Sequence, residues 1–175
     1  MKNILSLLLA LCLCAGLGAV AAEATGGPAG DGGTSASVEI PVEFTPTDIP
    51  VDALAIGFQV PSDFVAVAVT DEQAAQGLLL NAADAAQSYS VQVYAIQADS
   101  EAFTAQLSAA EGVANIETVT VNGIEYLTYS VPASNSHCAV LFINDTHMLS
   151  FQFIVPEGVD TGTVPLQIMG SLYDL

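Results

Sequence analysis

From residue 55 onward, short runs of alternating apolar and polar positions are broken by glycine, proline and asparagine, and a few stretches switch to helical spacing. Residues 55–60 (AIGFQV) read as a strand, Pro61-Ser62-Asp63 as a turn, and 64–69 (FVAVAV) as a second run of alternating character. Thr70 and Gln73 stand at capping-box spacing, and Gly77 is placed to close a short helical turn. Strands over 77–81 and 89–96 flank a polar, alanine-rich loop. Asp99 and Ser100 are cap candidates for a helix over 101–110, with Phe103, Leu107 and Ala110 along one face.

The C-terminal half carries the sharpest local signals. Asn122-Gly123, between 116–121 and 124–131, predicts a hairpin because both residues accept the positive φ of a type I′ turn. A second hairpin, 137–143 with 146–155, is predicted to turn at Asn144-Asp145. Residues 159–172 predict a closing helix begun or interrupted at Pro165, with Leu166, Ile168, Met169 and Leu172 to bury. Upstream, residues 38–52 carry Pro41, Pro46 and Pro50 and predict extended or edge-strand backbone, since proline has no N–H to give a ladder. The implied fold class is α+β, an antiparallel sheet with helices packed on it.

Before residue 38 the periodicity disappears. Residues 24–37 (ATGGPAGDGGTSAS) hold five glycines and a proline, the composition of a flexible linker. Residues 4–20 (ILSLLLALCLCAGLGAV) are apolar and uncharged behind Met-Lys-Asn, and run into Ala19-Val20-Ala21-Ala22-Glu23-Ala24. That layout predicts a secretory signal peptide cleaved after Ala21, Ala22 or Ala24. The organisation is therefore a signal peptide over 1–22, a linker over 23–37 and a single α+β domain over 38–175, with a secreted or extracytoplasmic product. The alternatives are an uncleaved anchor, at the short edge of what spans a bilayer, or a lipidated Cys14. The latter is disfavoured by Leu13, where a lipobox wants a small residue.

Charge narrows the chemistry. The 175 residues include 19 Asp and Glu, one Lys and no Arg, for a net charge of −18. The lysine is Lys2, which signal removal takes away. A chain without fixed cations has no Schiff-base lysine, no arginine finger and no side-chain phosphate clamp. Nucleic acid and anionic lipid surfaces are excluded as partners on the same ground, and stable membrane insertion is not expected once the signal is gone. Of three cysteines only Cys138 lies beyond the signal, so no intrachain disulfide forms and stability rests on a core.

Ser136-His137-Cys138 places a nucleophile type beside a base type, but neighbours on a strand point to opposite faces. With Asn144-Asp145 as the loop, Cys138 falls on a core face with Val140, Phe142, Leu149, Phe151 and Phe153. His137 then falls on the other face with Ala139, Leu141, Ser150 and Gln152, and His147 on the apolar face near the turn, so the two imidazoles share no metal. Asp71, Glu72 and Glu101 read as helix-start charges. Glu39 and Glu43 flank an extended segment, and Asp48, Asp52 and Asp63 lie near prolines. Gly30-Asp31-Gly32-Gly33 and Asn144-Asp145 are weak cation loops at most, without the spacing of a calcium motif. Asn144-Asp145-Thr146 matches a glycosylation sequon and reads as a tight turn. Tyr89, Tyr94, Tyr126, Tyr129 and Tyr173 suit a ligand groove or, more simply, a sheet with buried rings. No catalytic, cofactor-binding or metal-ligating set emerges, and no cofactor is expected.

The order of these elements carries a resemblance. Phe58-x-Val60-Pro61-Ser62-x-Phe64, the long strand over 89–96, the mid-chain helix, Val121-Asn122-Gly123-Ile124 with Tyr126 and Tyr129, and the closing Ile168-x-x-Ser171-Leu172 resemble the PsbP/Mog1-type α/β/α sandwich of exported bacterial domains. The resemblance spans residues 55–175 and departs at Phe64, where that pattern often has Trp. It implies a non-catalytic binding or accessory module, since members serve in photosystem II assembly, bind a small GTPase or occur as bacterial lipoproteins. The expected partner is a protein, peptide or glycan. The competing expectations are a small extracellular hydrolase using acidic residues and an acidic structural protein of the envelope.

Overall fold

A computed structural model describes residues 36–51, 55–86 and 89–175. The signal segment with its cleavage sites, residues 23–35 of the glycine-rich linker including Gly30-Asp31-Gly32-Gly33, and Asp52 lie outside the described residues. The chain runs β1 (Ala36–Val38), β2 (Pro46–Val51), β3 (Ile56–Pro61), β4 (Phe64–Ala66), α1 (Asp71–Ala75), β5 (Leu78–Asp84) and β6 (Ser90–Gln97). It continues through α2 (Ser100–Ser108), β7 (Ala114–Val121), β8 (Ile124–Val131), β9 (Ser136–Asn144), β10 (His147–Ile154), α3 (Val164–Gly170) and β11 (Tyr173–Asp174). Ala36 and Ser37, linker by composition, belong to β1.

Local chemistry sets most of the boundaries. The Thr70 hydroxyl accepts the Gln73 N–H at 3.3 Å, while the Gln73 side-chain carbonyl accepts the Thr70 N–H at 2.9 Å, closing the capping box that starts α1. Gly77, at φ +92°, turns the chain from α1 into β5 in a conformation that L residues rarely adopt. The Asp99 carboxylate caps α2 by accepting the Ala102 N–H at 2.8 Å. Asn122 and Gly123 have φ of 49° and 84°, as the tight turn between β7 and β8 requires. Pro165 stands in the first turn of α3, where a missing N–H costs nothing.

Eight strands form one sheet in the order β1-β7-β8-β9-β10-β6-β5-β4, antiparallel throughout except for the β1–β7 pair. A second sheet, β11-β3-β2, has β2 at its edge, where Pro46 and Pro50 are tolerated. The small sheet and α3 cover one face of the large sheet, and α2 covers part of the other. On the first face Phe58, Val60, Tyr126, Phe151, Phe153 and Ile168 pack in one cluster, with Phe58 and Phe151 edge to face at 5.3 Å. On the second, Phe103 and Leu107 of α2 pack against Tyr94, Tyr129, Val140 and Met148. Each fully buried aromatic contributes about 1.5–3 kcal/mol of transfer free energy.

The β9–β10 register differs from the predicted one. Asn144 is not in the loop: its side-chain carbonyl accepts the N–H groups of Thr146 and His147, both at 2.9 Å, and Asn144 pairs with His147 across Asp145-Thr146. The register then slips between His147 and Met148, so that Phe142 faces Met148 and Cys138 faces Gln152. A one-residue slip exchanges the faces of every later pair. Leu149, Phe151 and Phe153 therefore share their face with His137, Ala139 and Leu141, while Cys138 and Val140 lie with Ser150 and Gln152 on the α2 side.

Candidate functional site

A cleft of about 530 Å³ opens where β7, β8 and β9 meet the segment that leads from β10 into α3. Its floor includes Val119, Phe153, Leu166 and Met169, and its polar positions include Glu117, Thr128, Ser130 and His137. That volume is in the range of small-molecule sites, which combine an apolar lining with a few placed polar groups.

The register brings the polar groups together. Ser130 is opposite His137 across the β8–β9 ladder, because the connection over Pro132–Ser134 ends at Asn135 with φ 49° and turns the chain directly back. The Ser130 hydroxyl and His137 Nδ1 are 3.1 Å apart. Ser130 is 8% exposed, whereas the His137 ring stands at the surface. If the hydroxyl donates to Nδ1, the neutral ring keeps its proton on Nε2. If Nδ1 donates, the hydroxyl proton is free. In either tautomer the pair retains one donor for a ligand. Next along the sheet, the Thr128 hydroxyl donates to the Glu117 carbonyl at 3.2 Å, which holds the strand beside a register shift between Ala114 and Glu117.

The α3 side of the cleft is held by hydrogen bonds that range from buried to exposed. Tyr126 OH donates to the Met169 carbonyl at 2.7 Å, and burial pushes the Tyr126 phenol well above its ordinary pKa. Asn122 accepts the Ile40 N–H at 2.8 Å and donates to the carbonyls of Ile40 and Gly170, each at 3.0 Å. Gln167 accepts the Glu43 N–H at 2.7 Å and donates to Thr163 Oγ1 at 2.8 Å. Together these contacts hold α3, and with it Leu166 and Met169 of the floor, against the large sheet.

Of the candidate residues singled out in the sequence, His137, Cys138 and Tyr129 border the cleft, and the others lie elsewhere. Cys138 is buried at 4% exposure among the residues under α2. His147 lies at the exposed tip of the β9–β10 hairpin, with Nδ1 3.0 Å from Thr146 Oγ1, at the far end of that hairpin from His137. Glu39, Glu43, Asp48, Asp63, Asp71, Glu72 and Glu101 are exposed. Among the described residues no three His, Cys, Asp or Glu side chains come together as a metal set. Tyr89, Tyr94, Tyr126 and Tyr129 are buried, and only Tyr129 borders the cleft. The Ser130–His137 pair was missed in the sequence, where His137 stood out only beside Ser136 and Cys138.

No protein-family model matches the sequence, and no curated protein matches it. Solved structures do resemble it. The solution structure of cyanobacterial PsbP (CyanoP) from Synechocystis sp. PCC 6803 aligns with 85% of this chain and 98% of its own, at a TM-score of 0.50 and 15% identity. The fold is PsbP-like. A crystal structure from Bacteroides thetaiotaomicron VPI-5482 aligns at a TM-score of 0.52 and 11% identity, over 73% of this chain and 48% of that one. This chain spans about half the length of the Bacteroides protein. At such identities the likeness extends to the PsbP-like architecture and stops there.

Proposed function

We propose that this protein is an exported, non-catalytic binding or accessory domain whose ligand site is the cleft between β7–β9 and α3. The observation that carries the reading is the cleft itself: an apolar floor held in place by α3, and one polar pair. Ser130 meets the imidazole through Nδ1, and among the described residues no acidic side chain is bonded to the other face of that ring to orient it as a base. The pair is better suited to orienting a ligand than to attacking one. The PsbP-like architecture is compatible with such a role.

Export rests on the apolar segment over 4–20 and its alanine-rich exit. No helix among the described residues is long and apolar enough to cross a membrane. Cell fractionation with N-terminal sequencing should find a product beginning at Ala22, Glu23 or Thr25 outside the cytoplasm. The non-catalytic reading is tested with a panel of activated esters, peptides and glycosides. Turnover that disappears in Ser130→Ala, or in a variant lacking one named carboxylate, would establish a hydrolase instead.

A further inference from the structure

The cleft also carries a statement about what it accepts, one that rests on the binding reading above. Glu117 lines it, and the sequence supplies no lysine or arginine beyond Lys2, so among the described residues no fixed cation stands there to receive an anion. The net charge of −18 adds a field that draws cations in and turns anions away. The floor at Phe153, Leu166 and Met169 offers apolar contact to the rest of a ligand. We propose that the cleft binds an apolar body bearing one alkylammonium group, with the body on that floor and the ammonium beside Glu117. A free amine and a lysine side chain on a peptide present the same group.

The test uses the full chain and three probes with one body: octylamine, octanol and octanoate, followed by NMR at the cleft residues. Octylamine should saturate a single site there, octanol should bind more weakly, and octanoate should leave the spectrum unchanged. Glu117→Gln should weaken octylamine about two- to five-fold, the range of an exposed ion pair, and leave octanol as it was. Glu101→Gln, on α2 across the sheet, should change neither. A capped Leu-Lys-Leu peptide separates the sources: tighter binding than octylamine points to a polypeptide, and weaker binding to a small amine. Octanol or octanoate binding as tightly as octylamine overturns the charge selection but leaves the binding reading intact. Equal weakening by Glu117→Gln and Glu101→Gln overturns it too, because the attraction would be diffuse. No response of the cleft to any probe overturns both readings.

Discussion

Tyr126 and Tyr89 are both buried phenols, yet their hydroxyls are treated differently. The Tyr126 hydroxyl donates to the Met169 carbonyl, whereas the Tyr89 hydroxyl is buried with no hydrogen-bond partner among the described residues. A buried hydroxyl that makes its bond contributes about 0.5–1.5 kcal/mol, while one without a partner costs its desolvation. Tyr126→Phe should therefore lose about 1 kcal/mol in urea unfolding, and Tyr89→Phe should be neutral or stabilising. Equal losses in the two variants would contradict this assignment. Burial also disfavours both phenolates, so each phenol titrates above its ordinary value near 10 in the folded chain. As pH rises past about 10 the unfolded chain gives up these protons first, so stability present below that pH declines above it. The loss between pH 8 and pH 11 should be smaller in the double Phe variant than in the parent. The sequence suggested buried rings at these tyrosines, but which hydroxyl finds a carbonyl depends on where α3 docks, and no local pattern encodes that.

At the scale of elements, α3 is held by close approach as much as by hydrogen bonds. A Cβ on Gly170 would sit 2.5 Å from Asn122 Nδ2 and 3.1 Å from Val121 Cγ1. Gly170→Ala should thus push α3 off the β7–β8 turn and cost about 1–3 kcal/mol, the range for overpacking a fitted contact. Asn122→Gly keeps the turn geometry and loses the side-chain bonds to Ile40 and Gly170, so it should also destabilise, measured by thermal melting. If both variants melt with the parent, the clamp contributes nothing. The elements themselves were largely legible: the capping box at Thr70, the cap at Asp99, the Asn122-Gly123 turn and the edge prolines of β2 each act within a few residues. The β9–β10 register was not. There the Asn144 side chain moves the two-residue loop on to Asp145-Thr146, and a slip beside Met148 transfers Phe151 and Phe153 to the face opposite Cys138. The Ser130–His137 pair was hidden for a different reason. It is visible only by folding 124–131 back on 136–144 across the Pro132 turn, and adjacency along the chain draws attention to Ser136 and Cys138 instead.

At the scale of the molecule, the composition has a consequence that no single contact carries. With nineteen carboxylates and Lys2 as the one basic residue besides two histidines, the folded chain gathers negative charge with a single fixed cation to offset it. Bringing like charges together opposes the compact state, and added salt screens exposed charges beyond about 8 Å at physiological strength. Stability should therefore rise with sodium chloride from 10 to 500 mM, and each 1 kcal/mol gained should raise Tm by roughly 2–4 °C at this size. Salt can also strengthen apolar burial, so a rise alone does not identify the cause. Acid separates the two: once the carboxylates are protonated the repulsion is gone, and the salt dependence should flatten if charge is responsible. A slope that persists unchanged in acid would assign the effect to burial, and the acidic surface would then carry no stability penalty for a cationic ligand to relieve.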